Sequence, residues 1–378
     1  MRSKEAQFER AVVQALRNQT PVRDLPGVRI TAVREQPEER FDISFELQSG
    51  KSRVLVLGEI KPAVSPKLLE QIAPWIRRMK SLRQDVAFVL ISTAISPRSQ
   101  EYCIKNSIDF LDLAGNVSIN VPDKFVLQRL GMRSKERSEP NRSFPSINVF
   151  SGRSSRVLRV LLEKPKPWTL TEIAKELDAE AERVSRAFRN QQIRFRISLG
   201  AISKAIASLE EQLWIRRQDS SILVPEPGRL LTEWAERYRG RYRWRLRSSF
   251  QTQNPFGPKL SEIAEGLRPL IAGRYAFTGA AAAIEAPYVE LDRVDVFLTE
   301  SEADRKLRAL DRGQGAGPKL RFIYPYDVGV FMYSRIEAST PAVSNIQAYL
   351  DLYGRGGRDM KQAAFLLTKA IEPRWKAK

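Results

Sequence analysis

The chain has 378 residues with 63 Lys and Arg against 44 Asp and Glu, a formal net charge of +19, no histidine and one cysteine. That length calls for more than one domain, each able to bury its own core. Without histidine, and with Cys103 alone, histidine triads, zinc fingers, haem sites and disulfide frameworks are all excluded, so any metal chemistry here is carboxylate chemistry.

The positive charge is unevenly spread. Residues 51–150 carry 16 basic and 9 acidic residues and residues 151–250 carry 21 and 12, whereas residues 251–300 carry 4 and 7. A polyanionic partner, nucleic acid above all, is therefore expected at the N-terminal two thirds. No stretch approaches the roughly 20 apolar residues of a membrane span, so a cytoplasmic, nucleoid-associated protein without a membrane partner is expected.

In chain order, Phe8, Val12, Val13 and Leu16 predict an amphipathic helix over 4–18. Strands follow at Val28–Val33, Phe41–Leu47 and Arg53–Ile60, with Ser49-Gly50 as the tightest turn. Ser65-Pro66 and Ser96-Pro97 each open a helix, because Ser caps and Pro suits the first turn. Strands are expected at Val86–Ser92, Ile108–Leu113 and Val117–Val121. The order describes an α/β layer with a mixed sheet.

Asp42 lies in one of these strands, and Glu59-Ile60-Lys61 ends the next, with Glu59 and Lys61 on one face by alternation. Two acids on adjacent strands can hold Mg2+ through oxygen, and a lysine beside them can position the attacking water at a phosphodiester. Glu9 and Gln71 are lesser contributors. The bland alternative is a solvated edge strand carrying a cross-strand ion pair. Over about residues 4–125 the pattern resembles the PD-(D/E)xK nuclease superfamily, with Asp42 as first acid, Glu59 and Lys61 as the paired motif, and Phe41 where a proline often stands. The resemblance implies a Mg2+ site at Asp42 and Glu59 in active members; other members bind without cleaving.

Residues 131–153 are polar and proline-containing and are expected as a linker. Next comes a helix at 154–162, then Thr169 with Glu172 as a capping box opening a second helix. Ile202, Ile206, Leu209 and Leu213 predict a third helix that presents Ser203, Lys204 and Ser208 outward, with Ser198 at its start. A hairpin at 214–224 follows, placing Arg216 and Arg217 to meet phosphates. The pattern looks like a winged helix-turn-helix over 154–250, with an insertion near 178–197. Within it Ala181 to Asn190 is a further helix candidate, with Arg183 and Arg186 on one face. Either the 200–213 helix reads the groove, as we favour, or the earlier helix does; a protein-docking winged helix is the other alternative. In the run 237–247, arginines that include Arg241 and Arg243 alternate with Tyr238, Tyr242 and Trp244, which suits a phosphate backbone or a solvated helix with snorkelling side chains.

Residues 251–378 read as a third, C-terminal α/β domain, with strands at Val294–Leu298, Leu320–Tyr324 and Val328–Tyr333 and helices at 259–271, 278–286, 302–310, 343–352 and 358–371. The glycines at 313, 315 and 317 lack the lysine and helix of a phosphate loop. Asp292, Asp295 and Asp327 lack the context of a nucleotidyl-transfer site. The segments Tyr275–Ala282, Tyr324–Phe331 and Val343–Leu352, with Ile222–Leu231 and Trp234, are similar to AbiEi-family antitoxins of type IV toxin-antitoxin systems over about residues 154–375. That resemblance implies a DNA-binding regulator and a nucleotidyltransferase toxin or its operon as partner. A homodimer on DNA would be compatible with such a reader. The two readings carried forward are an AbiEi-type regulator binding duplex DNA through a winged helix and basic flanks, and a Mg-dependent DNA nuclease of phage-defence or mobile-element biology using Asp42, Glu59 and Lys61.

Overall fold

The computed structural model describes residues 2–38, 41–132, 148–188, 195–246, 248–271, 275–283, 291–299, 304–312, 314–335 and 339–376. The chain is α/β and divides into two compact units, Met1–Ser146 with Glu211–Leu213, and Ile147–Glu210 with Trp214–Lys378.

In the first unit, α1 (Arg2–Arg17) precedes β1 (Val28–Glu38), β2 (Phe41–Ser49) and β3 (Ser52–Ile60); α2 (Pro66–Leu82), β4 (Val86–Ser92), α3 (Pro97–Lys105), β5 (Asp109–Asp112), β6 (Val117–Val121) and β7 (Phe125–Arg129) follow. The seven strands form one mixed sheet in sequence order. β1, β2 and β3 are antiparallel, β3, β4 and β5 are parallel across the helical crossovers α2 and α3, and β5 to β7 are antiparallel again. Gly50, at φ 59°, makes the β2–β3 turn, a backbone region that glycine enters without steric cost. Ser65 and Ser96 cap α2 and α3 through their side chains, each followed by proline. α1 covers one face of the sheet, where Val12, Val13 and Leu16 pack with Ile43, Phe45, Val56, Val89 and Ile91. α2 and α3 cover the other, where Leu69, Ala73 and Ile76 pack with Leu90, Phe110 and Cys103. Burial, and then the nearby charge of Asp109, push the Cys103 thiol up to about 12. Strand β7 is an addition to the expected order; it pairs with β6 through its whole length.

The second unit begins with α4 (Ser155–Glu163), α5 (Leu170–Ala187) and α6 (Leu199–Glu211), then the hairpin β8 (Arg216–Gln218) and β9 (Ser221–Leu223). α7 (Pro227–Arg239), α8 (Tyr242–Arg245), β10 (Ser249–Thr252), α9 (Leu260–Ile271), β11 (Tyr275–Thr278), β12 (Arg293–Leu298), α10 (Asp304–Ala309), β13 (Lys319–Ile323), α11 (Asn345–Arg355), α12 (Asp359–Leu366) and α13 (Glu372–Lys376) complete it. Its second sheet runs β10-β13-β12-β11, with the central β13–β12 pair parallel. A single apolar core passes from Val157 and Leu161 of α4 through Trp234 of α7 to Phe322 of β13 and Leu350 of α11, so residues on both sides of position 250 share it.

Several elements differ from expectation. The helix candidate Ala181–Asn190 is the second half of α5, which runs unbroken to Ala187 because Ile173, Leu177 and Val184 keep one buried stripe. The segment between α5 and α6 is therefore 188–198, of which 189–194 lie outside the described residues. Residues Val328–Phe331 form a 3-10 turn, not a strand, because the Asp327 carboxylate accepts from Gly329 N at 2.8 Å and caps it. Over 278–286 the described part is a 3-10 turn at Gly279–Ala282. The segment expected as a linker lies mostly outside the described residues, at 133–147.

A buried polar network ties α4, α7, β11 and α11 together. Asp351 accepts from Tyr238 Oη at 2.5 Å, Thr278 Oγ1 at 2.5 Å and Gln347 Nε2 at 2.7 Å. Gln347 Oε1 accepts from Arg159 Nη2 at 2.5 Å, and that guanidinium lies 5.2 Å from the Trp234 ring. Ser344, Gln347 and Asp351 share one face of the segment 343–352, and all three are buried.

Candidate nucleic-acid interface and carboxylate cluster

In the second unit α4, a bridge at Trp168, α5, α6, β8 and β9 follow one another in that order. Trp168 exchanges backbone hydrogen bonds with Ile222 at 3.0 and 2.7 Å, a single bridge onto β9 of the hairpin. Thr169 and Glu172 form the expected capping box at the start of α5, with Glu172 accepting from Thr169 N at 2.7 Å and Glu172 N donating to Thr169 Oγ1 at 3.2 Å. The Thr169 backbone N–H first, and then the Thr169 hydroxyl, which donates to Glu172 Oε2 at 2.8 Å, hold the Glu172 carboxyl below its ordinary value.

α6 buries Ile202, Ala205, Ile206 and Leu209, which fixes its outward face. Lys204 is exposed there, with no hydrogen bond or ion pair among the described residues, and Ser203 and Ser208 flank it, half-buried. Ser198, exposed at the start of the helix, also caps it: its Oγ accepts from Ala201 N at 3.2 Å. Arg216 and Arg217 are exposed on β8, and Arg217 Nε reaches Glu210 Oε2 at 3.0 Å, tying the hairpin to α6. Arg196, two residues before the capping Ser198, is exposed as well and was missed; a basic residue close before a capping serine was its only signal.

Arg183 and Arg186 do not join this face. Arg183 binds Glu180 through Nε at 3.1 Å, and Glu180 in turn accepts from Tyr333 N at 2.5 Å. Arg186 pairs with Glu182 one turn away at 2.5 Å. In the 237–247 run, Tyr238 and Tyr242 are core residues and cannot stack on a base, whereas Trp244 is 54% exposed and Arg241 is exposed. The Arg243 side chain lies outside the described residues.

In the first unit, Asp42, Glu59 and Lys61 come together where β2 and β3 run side by side. Asp42 Oδ2 accepts from Ile60 N at 2.7 Å, and Lys61 Nζ donates to Glu59 Oε1 at 2.5 Å. Glu59 and Lys61 remain 27% and 33% exposed. On the opposite face of β3 Gly58 leaves room for the core, since a Cβ there would meet Ile91 Cδ1 at 2.6 Å and Ile43 Cγ2 at 2.7 Å. A cavity of about 560 Å3 opens beside Glu59, walled by Phe41, Leu57, Trp75 and Phe88 with Gln71 at its edge. Glu9 does not line it; it belongs to α1, which packs on the opposite face of the sheet. No group of three His, Cys, Asp or Glu side chains suited to a metal forms among the described residues. The oxygens left to a Mg2+ ion are Asp42 Oδ1 and Glu59 Oε2, a pair that fits a cation retaining most of its water.

Asp292, Asp295 and Asp327 are spent on arginines: Arg355, Arg293 with Arg321, and Arg156. No helix among the described residues is long and apolar enough to cross a membrane. Comparison with protein-family models, with curated proteins and with solved structures finds no match.

Proposed function

We propose that this protein is a duplex-DNA-binding regulator whose reader is α6 and whose wing is the β8–β9 hairpin. The observation that carries this reading is the outward face of a winged-helix arrangement bearing Lys204, Arg216 and Arg217, all exposed, in the most basic stretch of the chain. Fluorescence anisotropy with labelled duplexes across a salt series tests it. Replacing Lys204, Arg216 and Arg217 together by alanine is expected to weaken binding at least about tenfold and to flatten the salt slope by about one unit for each phosphate no longer neutralised. Equal binding by parent and variant would remove the reading. An AbiEi-type antitoxin role, with a nucleotidyltransferase toxin as partner, is part of the same proposal and is tested by co-purification with such an enzyme.

A second reading, Mg-dependent DNA cleavage, is favoured by the convergence of Asp42, Glu59 and Lys61 at the ends of two paired strands. In it, Asp42 and Glu59 would hold the cation, which would supply Lewis-acid activation of water, and Lys61 would orient the nucleophile. Plasmid nicking with Mg2+ or Mn2+, abolished in Asp42→Asn and Glu59→Gln, is the expected result; intact plasmid under both metals would end it.

A further inference from the structure

The second unit holds a pocket of about 390 Å3, within the size range of small-molecule sites, whose chemistry is unlike that of the reader face. Four cations, Lys164, Arg183, Arg335 and Arg374, share its wall with two carboxylates, Glu163 and Glu180, which leaves the lining net positive. Both acids are already engaged: Glu163 Oε2 with Arg374 at 3.0 Å, and Glu180 with Arg183 and the Tyr333 amide. Arg335 is different. Its guanidinium donates to the Ala282 carbonyl at 2.5 Å, and no carboxylate among the described residues pairs with it.

Two further features point the same way. The first turn of the eleven-residue helix α11 enters the wall through Ser344 and Asn345, bringing the positive end of the helix to the pocket. Ser334 also lines the wall, is 5% exposed, and its hydroxyl has no hydrogen-bond partner among the described residues, an uncommon state for a buried polar group.

We propose that this pocket binds a small phosphate-bearing molecule, its phosphate held by Arg335 and the start of α11. The pocket is built partly from the winged helix. Glu163 ends α4, and Glu180 and Arg183 lie on α5, the helix that leads into the reader, so occupancy braces α5 and adjusts how α6 is presented. That regulatory step rests on the duplex-binding reading; ligand binding itself does not.

Isothermal titration calorimetry on the full chain, with pyrophosphate, AMP and ribose 5-phosphate as probes and adenosine as control, tests the site. At least one phosphate probe is expected to bind with one-to-one stoichiometry while adenosine does not. Arg335→Gln is expected to weaken binding about tenfold or more, the scale of removing one charge-assisted hydrogen bond, and the double variant Arg216→Gln, Arg217→Gln to leave it unchanged. Silence from all three probes, or abolished binding in the wing variant with retention in Arg335→Gln, would overturn the site. Adding the binding probe to the anisotropy assay is expected to shift duplex affinity; an unchanged affinity overturns the regulatory step. Because the calorimetry contains no DNA, its outcome stands apart from any failure of duplex binding.

Discussion

Asp42 and Glu59 in the first unit and Asp351 in the second are acids on regular elements, yet their surroundings differ in kind. Asp351 is buried and accepts from three side-chain donors on α7, β11 and α11. Asp42 accepts one backbone amide and Glu59 one ammonium, both stay partly open to water, and Glu59 lines a cavity. A carboxylate whose lone pairs are all answered by the protein holds elements in place, whereas one with an unanswered oxygen facing solvent keeps capacity for a ligand. The same contrast separates Arg183, locked to Glu180, from Lys204.

The largest expected effect probes the closed end of that comparison. Asp351→Ala leaves Tyr238, Thr278 and Gln347 without their acceptor, and a destabilisation of about 3 kcal/mol in urea unfolding is expected, the scale of several buried donors left unpaired. A value below about 1 kcal/mol would mean that α7 and α11 are held by apolar packing alone.

A smaller effect sharpens it by pH. Burial, first, raises the Asp351 carboxyl above its ordinary value, against the lowering by Gln347, Thr278 and Tyr238. Its pKa is thus higher in the folded than in the unfolded chain, so the proton favours folding at acid pH and this contribution fades as pH rises from the ordinary aspartate value of 3.8 through the raised one. The stability advantage of the parent over Asp351→Asn is therefore expected to shrink over that climb, read from paired urea midpoints. A widening advantage would reverse the assignment.

The smallest effect tests the open end. Asp42→Ala and Glu59→Ala are each expected to change stability by less than about 1 kcal/mol, since each removes one hydrogen bond at a hydrated strand end. A destabilisation like that of Asp351→Ala would make the cluster structural and erase the distinction.

Much of this was legible in the chain. The capping serines before Pro66 and Pro97, the Thr169–Glu172 box and the uniformly apolar Val86–Ile91 run carry their signals within a few residues, and the structure realises each. The juxtaposition of Asp42 with Glu59 followed from strand order and alternation. What escaped depended on distant partners. β7 and β10 are short strands that exist because β6 and β13 offer edges to them. Tyr238 and Tyr242 sit in an arginine-rich run that reads as surface, but their rings are claimed by the core around α11. Arg183 carried the charge of a DNA contact, while its carboxylate neighbour Glu180 turned it toward Tyr333 and the pocket.

The lone thiol has a practical consequence. Cys103 is sealed beneath α3 and held in its unreactive protonated form, so an added alkylating reagent can capture it only when that helix lifts from the sheet. With no other sulfhydryl in the chain to compete, labelling rates keep time for transient opening at one address, and they do so while the second unit stays silent.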